Sequence, residues 1–142
     1  MKLFFSFLLF FLCFHSISQR KKEIFAPEVF DSTQFLYEFD MKYLGKSTNV
    51  DPNYRYVLEW LVELLEKNPS WTVLTRGHVC CGPSEKVSKK RACKAYKALL
   101  KMGVAKDRIS YKGFSDTKPI IFPEKTEEDA QTNRRVDFVI TK

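Results

Sequence analysis

Residues 71–114 read WTVLTRGHVCCGPSEKVSKKRACKAYKALLKMGVAKDRISYKGF, and the order of elements in this stretch decides the fold. Trp71 to Thr75 is rich in β-branched and aromatic residues and continues toward His78, which predicts a strand. Gly82-Pro83-Ser84 is a turn cluster. Beyond it Ser88 can cap a helix whose apolar side is Ala92, Tyr96, Leu99 and Leu100, with lysines on the other side. Gly103 is the expected stop, with Val104 as the hydrophobic contact of a left-handed C-terminal motif. Arg108 to Lys112 alternates again and predicts another strand. A strand, a helix and a second strand in this order describe a β-α-β unit.

The same reading extends in both directions. Upstream, Phe35-Leu36-Tyr37-Glu38-Phe39 is an aromatic run bounded by polar residues, a strand by composition. Asp51-Pro52 is a helix start, Asp51 as N-cap and Pro52 at the first helical position. Tyr54, Val57, Leu58, Leu61, Leu64 and Leu65 then recur at spacings of three and four, giving an amphipathic helix to about Lys67, stopped by Asn68-Pro69. Downstream, residues 119–130 read as a loop with an acidic run and at most one helical turn. Arg135 to Thr141 sets Val136, Phe138 and Ile140 against polar neighbours, a last strand. The expected architecture is α/β, an α+β sandwich of order β-α-β-α-β-β. One mixed sheet is covered by two helices, all within residues 34–142.

Residues 1–18 stand apart. Lys2 is followed by Leu3 to Phe14, apolar but for Ser6, and then by small residues at Ser16 and Ser18. The run is well short of the ~20 residues that a spanning helix needs. A secretory signal peptide cleaved after Ser18 is the expectation. Cys13 lacks the small residue before it that a lipidation signal wants. Residues 19–33 read as a polar N-terminal tail, and the mature chain is expected to hold no transmembrane segment.

The chain has 142 residues and a net charge of +7, of which the first 18 residues carry one unit. Lys86, Lys89, Lys90, Arg91, Lys94, Lys97 and Lys101 fall within one short stretch. On an exported chain without aromatic-interleaved basic motifs, nucleic acid is not the expected partner. Wall polymer, anionic lipid or an acidic protein fit the charge, as does a plain solvated helix face. With two histidines, one of them in the signal, and no nucleophile motif, no enzyme activity is expected and no cofactor is called for.

Taken together, Gly77-His78, Ser88-x-x-Arg91-Ala92, Gly103-Val104-x-x-x-Arg108-Ile109, Gly113-Phe114, Pro119 and Asn133-Arg134-Arg135-Val136 resemble the motif series of the OmpA-like domain family. Phe39-Asp40 resembles the family's first strand end. The resemblance covers nearly everything after the tail and implies non-covalent binding of peptidoglycan through the diaminopimelate of its stem peptide. It also implies a location in the periplasm or cell envelope, in association with the outer membrane. Such a zwitterionic ligand asks for a cation at its carboxylate and an anion at its amine. By motif, Arg91 takes the carboxylate, and Arg134 and Asp40 match secondary contacts. The family's amine-binding aspartate is replaced here by Cys80. That departure leaves a second reading open, in which the fold serves as a module for an envelope protein partner and the wall site has lapsed.

Three cysteines follow the signal, Cys80, Cys81 and Cys93. In an OmpA-like fold the loop and the helix start are neighbours, so a bridge from the Cys80/Cys81 pair to Cys93 is expected, drawn as Cys81–Cys93. Cys80 would then remain as a thiolate to meet the ligand's amine. A zinc site from His78 and the three cysteines is disfavoured, because adjacent cysteines diverge on an extended chain and no Cys-x-x-Cys spacing is present.

Overall fold

The computed structural model describes residues 28–31, 33–37, 41, 43 and 45–142. The signal segment and Asp40 lie outside the described residues. The elements, in chain order, are β1 (Glu28–Asp31), β2 (Gln34–Tyr37), α1 (Arg55–Lys67), β3 (Thr72–Gly77), α2 (Glu85–Lys101), β4 (Ile109–Gly113), α3 (Glu127–Asn133) and β5 (Val136–Thr141). Short 3₁₀ turns at Pro52–Tyr54 and Lys106–Arg108 lead into α1 and β4. The strands form one mixed sheet in the order β1-β2-β5-β3-β4. Among the described strands only β3 and β4 run parallel, joined across α2, while β5 lies antiparallel to both β2 and β3. The expected mixed sheet with two main helices is what forms.

Two differences concern the edges. Glu28–Asp31 pairs with β2 as an added edge strand, so the sheet begins inside what composition suggests is a polar tail. A four-residue strand carries too little periodicity to stand out from sequence. The acidic run makes a two-turn helix, α3, rather than a loop. Its start is a capping box, in which Thr126 Oγ1 accepts from Asp129 N and Asp129 accepts from Thr126 N.

The sheet has two unlike faces. In the β3–β5 register Val73 opposes Ile140, Thr75 opposes Phe138 and Gly77 opposes Val136. These residues pack under α1 and α2, whose buried Val57, Leu58, Leu61, Leu65, Ala95 and Leu99 complete the core. Asp51 caps the first turn as its position predicts, its Oδ1 accepting from Asn53 N at 2.9 Å. Gly103 closes α2 at φ +97°, with Val104 N donating to Leu99 O at 3.2 Å.

The helix α2 starts one turn earlier than expected, at Glu85, and Ser88 is not its cap. Ser88 is buried, donating to Glu85 O and accepting from Ser115 N at 3.0 Å. A reason lies in the two glycines below it. A Cβ on Gly77 would overlap the Ser88 carbonyl, and one on Gly113 would sit 2.6 Å from Lys89 N. Glycine at the ends of both parallel strands therefore lets the first turns of α2 lie directly on the sheet.

Candidate functional site

The C-terminal ends of the parallel strands carry the loops that build the candidate site. Past β3 the chain runs through His78, Val79 and the cysteine pair, then turns at Cys81 (φ +60°) and Gly82 (φ +106°) into the start of α2. The 45–47 segment and the approach to β5 close the other sides. Together they enclose a cavity of about 500 Å³ lined by Gly45, Lys46, Val79, Cys80, Cys81, Gly82, Pro83, Ser84, Val87, Arg91 and Arg134. Arg91, Arg134 and Cys80, three of the four ligand residues expected from sequence, line it.

Arg91 is fully buried and stands in the second turn of α2, not at its start. Its guanidinium donates from Nε to Ser47 O (3.0 Å), from Nη1 to His78 O (2.9 Å) and from Nη2 to Gly45 O (2.6 Å). It also lies over the ring of buried Tyr43, 4.7 Å from the centroid. Arg91 therefore ties two loops to the strand end while forming the floor of the cavity. Burial pushes its pKa down to about 10, partly offset by Tyr43 and reinforced by the nearby charge of Arg134, so it stays a cation at neutral pH.

Arg134 is also buried. It donates to Gln131 Oε1 (2.7 Å), pairs with exposed Glu127 of α3 and points Nη1 at Cys80 Sγ, 3.1 Å away. The acidic run that reads as a loop thus forms a helix whose side chains orient this arginine.

The cysteines differ from expectation. Cys80 and Cys81 are joined to each other as a vicinal disulfide, and Cys93 is free. The expected Cys81–Cys93 bridge is therefore corrected, as is the role of Cys80 as a thiolate. The left-handed turn at Cys81 and Gly82 breaks the extended chain that would have sent the two side chains apart. Cys93 lies two residues beyond Arg91, on a half-buried face of α2 beside Tyr111 of β4.

A second cluster on the other face of the sheet was not read from sequence. Asp137 is fully buried directly across from Arg76, with Arg76 Nε at 2.5 Å, His78 Nε2 at 3.0 Å and Arg135 Nη2 at 3.3 Å. Burial alone would raise the Asp137 pKa, but hydrogen bonding and charge from His78 and Arg76 outweigh it and hold it below the usual range. For His78 burial dominates and lowers the pKa despite Asp137, so the ring is neutral near pH 7. Phe114 stacks on His78, with the Arg76 guanidinium 5.5 Å from its centroid. The signal that was available is that Arg76 and Asp137 share the face opposite the core on paired strands.

Comparisons with known proteins place this geometry. No protein-family model matches the chain. Outer membrane porin F of Pseudomonas fluorescens is 31% identical over 104 residues, which is 70% of this chain and 32% of the porin. The chain thus spans about a third of that relative's length. Among solved structures, the cell wall anchor of the T6SS from Pseudomonas aeruginosa superposes with a TM-score of 0.70 at 22% identity, over 88% of this chain and 92% of the anchor. The periplasmic domain of Helicobacter pylori MotB gives 0.69 at 18% identity, over 82% and 80%. The peptidoglycan-associated lipoprotein from Burkholderia pseudomallei gives 0.66 at 20%, over 78% and 91%. The fold is that of an OmpA-like domain, and the resemblance carried by the sequence motifs is borne out. Among the described residues, no helix is long and apolar enough to cross a membrane.

Proposed function

We propose that this chain is an exported, non-enzymatic envelope protein whose OmpA-like domain binds the stem peptide of peptidoglycan through a carboxylate. The observation that carries this reading is the lining of the cavity, which among the described residues holds Arg91, Arg134 and Lys46 and no carboxylate. The first residues of α2 add backbone N–H groups and the positive end of a helix dipole. A cell wall anchor and a peptidoglycan-associated lipoprotein among the fold neighbours support the same class of ligand. Export follows from the apolar run before Ser18, with Gln19 as the mature N-terminus.

The site holds the anion half of a diaminopimelate clamp. Where an acid would meet the amine stands the Cys80 sulfur of a disulfide, a weak acceptor without charge. That observation favours the second reading, a module for an envelope protein partner. Sedimentation of the folded mature chain with purified sacculi separates the two. Wall binding predicts retention that soluble stem peptide competes away, that weakens at least tenfold in Arg134→Ala and that strengthens in Cys80→Asp. No competed retention by wild type or by folded Cys80→Asp would leave the interaction module.

A further inference from the structure

The cysteine pair has a neighbour that the wall-binding reading does not use. Glu124 approaches it from the loop before α3, and its Oε2 accepts from Cys81 N at 3.1 Å. The Sγ atoms of Cys80 and Cys81 and a Glu124 carboxylate oxygen all lie within 4.8 Å of one another. Asn133 Nδ2 holds the other carboxylate oxygen at 2.5 Å, while Asn133 Oδ1 accepts from Ile120 N and Ile121 N, so the acid is held from behind by a buried residue. Cys81 is exposed and Glu124 half-buried, and both line a second opening of about 260 Å³ beside Phe122 and Pro123. An ion could enter there without crossing the arginine cavity.

We infer that reduction of the Cys80–Cys81 disulfide converts this corner into a binding site for a thiophilic divalent ion such as zinc. The donors would be Cys80 Sγ, Cys81 Sγ and Glu124. Two sulfurs and one oxygen suit zinc, which takes thiolate at ~2.3 Å and carboxylate at ~2.0–2.2 Å in a tetrahedral shell. The two sulfurs are bonded in the oxidised protein and on reduction must part to the ~3.7 Å that thiolates at ~2.3 Å take around a tetrahedral centre, with a Glu124 oxygen already within 4.8 Å of both. The fourth position is left to water. Charge agrees as well: two thiolates and a carboxylate balance a divalent ion together with the Arg134 guanidinium, which already touches Cys80 Sγ.

The sequence of steps balances with a small dithiol as reductant. Thiolate attack breaks the S–S bond, two electrons and two protons pass to the cysteines, and the dithiol leaves as its cyclic disulfide. Zinc then displaces the two thiol protons as it binds. Oxidised protein has no thiolates here and no site. This inference does not depend on wall binding.

The test uses the mature chain, reduced with a dithiol, desalted under anaerobic conditions and titrated with zinc against a chromophoric chelator. The expected result is one equivalent bound by reduced protein and none by oxidised protein. Cys81→Ser should lose the site, and Glu124→Gln should weaken it at least tenfold. Cys93→Ser should leave it unchanged. Circular dichroism checks that each variant is folded, and cobalt substitution gives a second readout through sulfur-to-metal charge-transfer absorption. Reduced, folded wild type that takes up no zinc overturns the inference. So does binding that survives Cys81→Ser, is indifferent to Glu124→Gln, or disappears in Cys93→Ser.

Discussion

Replacing Arg91 by alanine should cost the fold more than it costs any ligand. The guanidinium is fully buried and donates to carbonyls on separate segments, Gly45 and Ser47 in one loop and His78 at the end of β3. A hydrogen bond to a charged group contributes about 1.5–3 kcal/mol. Three such bonds are not additive, because the cavity beside them admits water to some of the abandoned carbonyls. A net loss of about 3–5 kcal/mol follows, comparable to breaking a buried charge pair. Domains of this size are stable by only ~5–15 kcal/mol, and each kcal/mol moves Tm by about 4–8 °C. Arg91→Ala should therefore lower Tm by at least about 12 °C, read by calorimetry beside urea unfolding. Arg91→Lys keeps a charge but not a planar fork that reaches three carbonyls, so it should recover less than half of the loss. A change below about 1 kcal/mol for Arg91→Ala would refute the account of Arg91 as a tie between loops and strand. It would also make loss of wall binding in this variant readable as loss of a ligand contact.

Other outcomes follow from the cluster on the opposite face and from the helix contact. Asp137→Ala removes the buried acid that Arg76, His78 and Arg135 share, and urea unfolding should show a loss of about 3–5 kcal/mol. His78 and Asp137 both have pKa values lowered by folding, from 6.5 and 3.8. For each, the unfolded chain takes up protons first as pH falls. Stability should be level between about pH 6.5 and pH 9, decline below that range as unfolded His78 protonates, and decline again below about pH 3.8. His78→Gln should remove the first limb of a urea-midpoint titration and leave the second. Gly77→Ala should destabilise by about 2–3 kcal/mol, because its Cβ meets the backbone of α2 rather than a side chain able to move.

Much of the fold was legible because its signals are local and redundant. Asp51-Pro52 fixes the entry to α1, Gly103 fixes the exit of α2, and the alternation at Val136, Phe138 and Ile140 fixes which face of β5 meets the helices. What was missed depends on a second surface covering the first. Asp137 sits at an outward position of an alternating strand, so period-two reasoning assigns it to water. It is buried because Phe114 and the chain around it lie over that face. The cysteines failed for a similar reason. Treating Cys80 and Cys81 as extended neighbours sends their side chains apart, whereas a positive φ at Cys81 brings the sulfurs together. Nothing in the spacing of Cys80, Cys81 and Cys93 reports that angle.

The two buried cation systems differ in a way that bears on what the cavity accepts. On the far face the arginines and His78 surround an acid that belongs to the chain, so that cluster is complete without a ligand. Arg91 has instead been solvated by carbonyl dipoles: among the described residues its hydrogen bonds go to Gly45, Ser47 and His78 and none to a carboxylate. Carbonyls can stabilise a buried guanidinium without cancelling its charge. Arg134 has one acid partner, Glu127, which is itself exposed and so screened by water. Lys46 and the start of α2 add to the same sign. The cavity therefore keeps a standing positive potential in a partly dry setting, where an entering carboxylate gains more than it would at the surface. An ammonium entering alone would meet its own sign and, among the described lining residues, only neutral groups such as the Cys80 sulfur and the Ser84 hydroxyl to accept from it. On the proposed reading, preference for the anionic end of a ligand rests on how the fold solvates Arg91, and an acid at position 80, beside Arg134, would supply the missing partner for an amine.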